Sequence, residues 1–112
     1  MKLFVWNNTF CDYTPGVAFA FASTVGEAKE LIVAQALREE AAYRKRCAET
    51  LADEGATLMP VTRKVLQGSV DNKERGERAA VSNTLHTLQM AEEVGDFHVY
   101  TTAHGEYILG GG

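Results

Sequence analysis

The residue pattern predicts an α+β fold: an antiparallel sheet from N- and C-terminal hairpins, with two long helices on one face. Three observations predict it. Short runs rich in Phe, Val, Trp and Tyr, bounded by turn residues, lie at both ends of the chain. Two long central stretches carry apolar residues at helical spacing. Each of those stretches opens on a hydroxyl or carboxylate placed three residues before a Glu, the pattern of a capping box. The 112 residues are read as a single α+β domain, 1–112, a size at which one core stands alone.

Lys2–Trp6 and Val17–Ala22 read as the first two strands, the first beginning almost at Met1. The segment between them, Asn7–Gly16, is dense in Asn, Asp, Pro and Gly, and Pro15-Gly16 fits a type II turn. The result is a long-looped hairpin, and loops held by flanking strands often carry binding groups. Thr24-Val25-Gly26-Glu27 then opens a helix expected to reach about Asp53, with Gly55 as its stop. Leu31, Ala34, Leu37, Ala41, Ala48 and Leu51 form its apolar stripe, widened by Ile32, Ala36, Tyr43 and Cys47. Such a helix is on the order of 40 Å long, more than one small domain covers. Part of its apolar face is therefore expected to meet a second subunit, making the chain a homo-oligomer.

In the next segment, Ala56–Val70, Pro60 argues against a helix, so Thr57–Val61 and Lys64–Leu66 are read as short strands or a tucked loop. Asp71-Asn72-Lys73-Glu74 has the capping-box pattern again and opens a second helix to about Val94. Val81, Leu85, Leu88 and Ala91 lie on one face, and Gly95 is its C-cap. Phe97–Thr101 and Glu106–Leu109 complete the sheet as a hairpin turning at His104-Gly105, followed by the glycine tail Gly110–Gly112.

Hydrophobic residues make up 46% and charged residues 23%, ordinary globular usage rather than disorder. No apolar run approaches the roughly 20 residues needed to span a bilayer, and Met1–Trp6 turns polar too quickly for a signal peptide. Cys11 and Cys47 have no Cys-x-x-Cys spacing, so free thiols and a cytoplasmic location are expected. The net charge of −4 disfavours duplex nucleic acid, whose affinity comes from neutralised phosphates, but leaves room for a local patch that takes a small anion.

Catalytic patterns are lacking in the sequence. There is no Gly-rich phosphate loop, no Gly-x-Ser-x-Gly elbow and no His-Glu-x-x-His helix. His86, His98 and His104 are too widely spaced for a local metal site, and Asp12 beside Cys11 disfavours its thiolate. A binding protein without cofactor, metal or catalytic residue is expected. Among the cations, Arg44-Lys45-Arg46 point apart around a helix and read as a solvated flank paired with Glu40 and Glu49. Arg63-Lys64 and the pair Arg75, Arg78 are the better anion ligands, the latter sharing a face near a helix start. Their alternative role is salt bridging to Glu74 and Glu77. Trp6 and Phe97 read as core, whereas Tyr13, in the Asp-Tyr-Thr-Pro-Gly loop, is the aromatic expected to stack on a ligand ring. Asn83 and His86, one turn apart, offer polar groups for a base edge.

The set Leu3-Phe4-Val5-Trp6, Asp12-Tyr13-Thr14-Pro15-Gly16-Val17-Ala18-Phe19-Ala20, Glu27-Ala28 and Tyr107-Ile108-Leu109-Gly110-Gly111-Gly112 resembles small bacteriophage proteins of the anti-Thoeris sponge family. The likeness covers the two hairpin ends and the start of the first helix, about a third of the chain. It implies an oligomer in the cytoplasm of an infected bacterial host. The oligomer would hold a cyclic ADP-ribose signal, or a cyclic oligonucleotide, intact between subunits. The likeness lies mainly in the scaffold, so it assigns no binding residue. Two other classes compete with this reading: an acidic, protein-binding inhibitor of a host defence complex, similar in role to an anti-CRISPR, and an enzyme that cleaves a nucleotide signal.

Overall fold

The computed structural model describes residues 1–9 and 16–101, apart from the side chain of Asn8. Tyr13, Cys11, Pro15, His104, the strand expected at Glu106–Leu109 and the glycine tail lie outside the described residues. The elements run β1 (Lys2–Thr9), β2 (Gly16–Ala22), α1 (Val25–Glu54), α2 (Pro60–Asp71), α3 (Lys73–Glu93) and β3 (Phe97–Thr101). The architecture is mixed α+β, with a three-stranded antiparallel sheet in the order β2-β1-β3. The chain divides into two compact units, Met1–Ala34 with Ser82–Gly112, and Gln35–Val81, and α1 and α3 contribute residues to each. No helix among the described residues is long and apolar enough to cross a membrane.

The first unit holds the sheet. β1 pairs with β2 from Lys2↔Ala22 to Thr9↔Gly16, with a register shift between Asn7 and Thr9, and with β3 from Lys2↔Thr101 to Trp6↔Phe97. Side chains alternate between faces along each strand. One face presents Phe4, Trp6, Ala18, Ala20 and Ala22, and packs with Ala28 and Ile32 of α1 and Leu88 and Ala91 of α3. Large and small residues sit opposite each other here: Trp6 faces Ala18, and Phe4 faces Ala20. The small alanines leave room for the two rings of β1 and the helices above them. Phe97 stacks on Trp6 with ring centroids 4.8 Å apart, so both aromatics expected in the core are there.

Helix ends follow local chemistry. Thr24 Oγ1 accepts the backbone N–H of Glu27 at 3.2 Å, while Glu27 Oε2 accepts the N–H of Ser23 at 3.3 Å. That is the expected reciprocal cap, with the carboxylate reaching one residue further back than the ideal box. At Gly55 an added Cβ would run into the Leu51 carbonyl oxygen, which suits glycine to the stop of α1. Gly95 adopts φ +83°, and the N–H groups of Gly95 and Asp96 bond to the carbonyls of Glu92 and Ala91, a complete Schellman motif at the end of α3.

Two expectations are corrected. The segment read as short strands or a loop is a helix, α2, with Pro60 in its first turn. Proline breaks a helix interior, but at the first position its missing N–H would have no intrahelical partner and its φ already fits. The second capping box does not form. Asp71 is the last residue of α2 and its Oδ1 accepts Gln67 Nε2 at 2.9 Å, while Asn72 joins α2 to α3, with its N–H bonded to the Gly68 carbonyl.

Candidate functional site

α2 carries four of its polar side chains, Arg63, Lys64, Gln67 and Asp71, along one side. Pro60, Arg63, Lys64, Gln67, Gly68 and Asp71 follow one another at helical spacing and line a shallow groove of about 530 Å³. The Arg63 guanidinium donates to the Leu58 carbonyl at 3.3 Å, which anchors it beside the helix start. Lys64 has no ion-pair partner among the described residues. Met59, the residue before Pro60, offers no side-chain cap to the first amides of α2. Uncapped amides and the helix dipole add positive potential where Arg63 stands.

A second groove of about 390 Å³ in the same unit is lined by Glu40 and Tyr43 of α1, Val65, Gly68 and Ser69 of α2, Asn72, and Arg75, Gly76 and Ala79 of α3. An added Cβ at Gly76 of α3 would meet the Glu40 carboxylate of α1, the movable end of a flexible side chain. In the sheet-bearing unit, Leu3, Val5, Asn7, Val17, Phe19, Phe21 and Tyr100 line an apolar hollow of about 290 Å³ on the sheet face opposite the helices. Phe19 is 59% exposed.

The expected ligand residues are thus only partly gathered. Arg63 and Lys64 share the α2 groove, Arg75 lines the neighbouring groove, and Arg78 is exposed on α3 and lines neither. Neither Arg75 nor Arg78 has an ion pair among the described residues, so the expected bridges to Glu74 and Glu77 do not form. Asn83 and His86 are exposed on the stretch of α3 that belongs to the sheet-bearing unit. Arg44 does pair with Glu40, at 3.4 Å, and also with Glu77, at 3.7 Å. The expected Glu49 partner is not used; Arg46 lies over the Tyr43 ring, 6.0 Å from its centroid. Gln67 and Tyr43 were missed as groove residues. Gln67 stands four residues after Arg63, a signal visible only once α2 is known to be helical.

The described residues hold no group of three or more His, Cys, Asp or Glu placed to bind a metal ion. Fold and groove together define an α+β protein with an exposed, cation-lined helical groove. Comparison with family models, curated proteins and solved structures finds no match to this chain.

Proposed function

We propose that this protein binds an anionic, ring-bearing small molecule of the cyclic nucleotide class and holds it without cleaving it. In a phage setting that would be an anti-defence role, removing an immune signal from solution. The observation that carries the reading is the placement of Arg63 and of Lys64, which has no ion pair among the described residues, in one groove at the uncapped start of α2. Two cations on adjacent positions, with backbone amides alongside, suit a phosphate or pyrophosphate better than a neutral ligand. The groove falls within the roughly 300–1,000 Å³ usual for small-molecule sites. The choice of cyclic ADP-ribose isomers or cyclic oligonucleotides rests on the scaffold resemblance, not on the groove.

The experiment incubates the protein with each nucleotide, removes unbound material, and heats the complex to release what was held. Intact nucleotide in the released fraction is expected. A cleaved product would mean an enzyme. Nucleotide left wholly free before heating would favour an inhibitor that binds a host protein instead.

A further inference from the structure

We propose that the two grooves of the unit Gln35–Val81 are halves of one ligand site, the α2 groove taking a phosphate and the Tyr43 groove the ring attached to it. The inference rests on the reading of the α2 groove as an anion site and adds the residues that hold the ring. It begins from Gly68, which lines both grooves. Lys64 and Gly68 stand in one line on α2, four residues and about 6 Å of helix rise apart. Glycine inside a helix weakens it relative to alanine. Gly68 has no positive φ, and a Cβ placed on it would meet nothing within 4 Å. Neither conformation nor packing therefore requires glycine there. Its missing side chain leaves bare backbone where the two grooves meet, and a ligand can lie across it.

The second groove has the chemistry a base needs. Tyr43 lines it and is 44% exposed, while the Arg46 guanidinium lies over the same ring without itself lining the groove. A planar base stacks on the remaining face of the tyrosine. Asn72 lines the groove too, and its Nδ2 donates to the Gly68 carbonyl at 2.8 Å. With that donor turned inward, Asn72 Oδ1 is the acceptor offered to an amino group on the base. Glu40 is held by Arg44 at 3.4 Å, whereas Arg75 has no ion pair among the described residues. Arg75 is therefore the cation this groove offers, suited to a second phosphate of the same ligand. The ligand class is a nucleotide with an amino-bearing base and more than one phosphate.

Calorimetric titration of the full chain with cyclic ADP-ribose isomers and cyclic oligoadenylates tests this, with urea unfolding of each variant. Tyr43→Ala should weaken binding about tenfold or more, the effect of one lost stack, and Tyr43→Phe should bind within about twofold of the wild type. Gly68→Leu should also weaken binding about tenfold or more, yet with an equal or higher urea midpoint, because leucine favours the helix and its Cβ meets no neighbour. Hypoxanthine forms of the same nucleotides, which carry an oxygen in place of the amino group, should bind more weakly than the adenine forms; equal affinity overturns the assigned base class. A wild type that binds none of these nucleotides overturns the anion-site reading itself. A wild type that binds them no better than Tyr43→Ala and Gly68→Leu do leaves that reading standing and overturns the ring half. Should Tyr43→Ala lose stability as well as binding, Gly68→Leu decides.

Discussion

The Trp6 indole Nε1 donates to Glu92 Oε1 at 3.1 Å, tying the centre of the sheet to the last turn of α3. Lys29 Nζ reaches the same carboxylate oxygen at 3.0 Å from α1, so one Glu joins the sheet and both helices of the core. Trp6 is fully buried, and removing its acceptor leaves the indole N–H without a protein partner. Glu92→Ala should cost about 1–2 kcal/mol, the lower part of the range for a charged hydrogen bond because the Glu92 side chain is partly exposed. Glu92→Gln keeps an amide oxygen for the indole and should cost less. Thermal unfolding checks this, with the alanine variant lowered by roughly 4–8 °C; an unchanged melting temperature would refute the role.

Gly95 turns the chain from α3 into β3 at φ +83°. Nothing lies within 4 Å of the position an added Cβ would take, so the strain of Gly95→Ala is purely conformational. The expected loss is about 1 kcal/mol, seen as a lower urea midpoint with an unchanged slope. A stabilised alanine variant would show that the backbone relaxes out of the left-handed region.

The two Thr/Asp-x-x-Glu patterns give opposite predictions. Thr24 caps α1, so Thr24→Ala should cost about 1 kcal/mol. Asp71 accepts only an exposed bond from Gln67, and Asp71→Ala should change stability by less than about 0.5 kcal/mol. Urea titration of both variants compares them directly, and equal losses would contradict the assignment.

That contrast shows where the sequence was readable. β1, β2, β3, α1 and α3 carry strong periodicity, and their limits lie within two residues of expectation except at the far end of β1, which runs on to Thr9. α2 was illegible because Pro60 signals a break wherever it is not the first residue of a helix. Val61, Thr62, Val65, Gly68 and Val70 further weaken its helical propensity. The same misreading accounts for the capping box expected at Asp71, since Asp71 closes one helix instead of opening another. It also hid the groove, because Arg63, Lys64 and Gln67 fall in one row only on a helix. Strand order has no local signature, and β1 takes the centre because its two faces are both apolar, with Phe4 and Trp6 on one and Leu3 and Val5 on the other.

Cys47 offers a probe of the helical unit. It is buried and free, and it is the one residue of Gln35–Val81 so enclosed. In a Cys11→Ser background, a thiol reagent should modify Cys47 at least about a hundredfold more slowly in the native protein than in urea. Labelling requires the unit to open, and its rate reads that opening. Equal rates would mean that Cys47 is accessible in the native protein.

The last prediction ranks the cations. Arg63→Ala with Lys64→Ala should weaken binding of cyclic ADP-ribose isomers or cyclic oligonucleotides by about tenfold to a hundredfold, the loss of about 1.5–3 kcal/mol from one charge-assisted contact. Stability should hold, since both residues are exposed and carry no ion pair among the described residues. Arg75→Ala with Arg78→Ala should have a smaller effect, because Arg78 lines neither groove of the unit. Arg44→Ala with Arg46→Ala should act on stability instead. Arg44 is largely covered and bridges Glu40 of α1 to Glu77 of α3, so its removal takes that shared cation from both carboxylates. Calorimetric titration of the three double variants, with urea unfolding of each, separates ligand contact from support. If Arg44→Ala with Arg46→Ala abolishes binding at unchanged stability while Arg63→Ala with Lys64→Ala binds like the wild type, the α2 groove is not the ligand site.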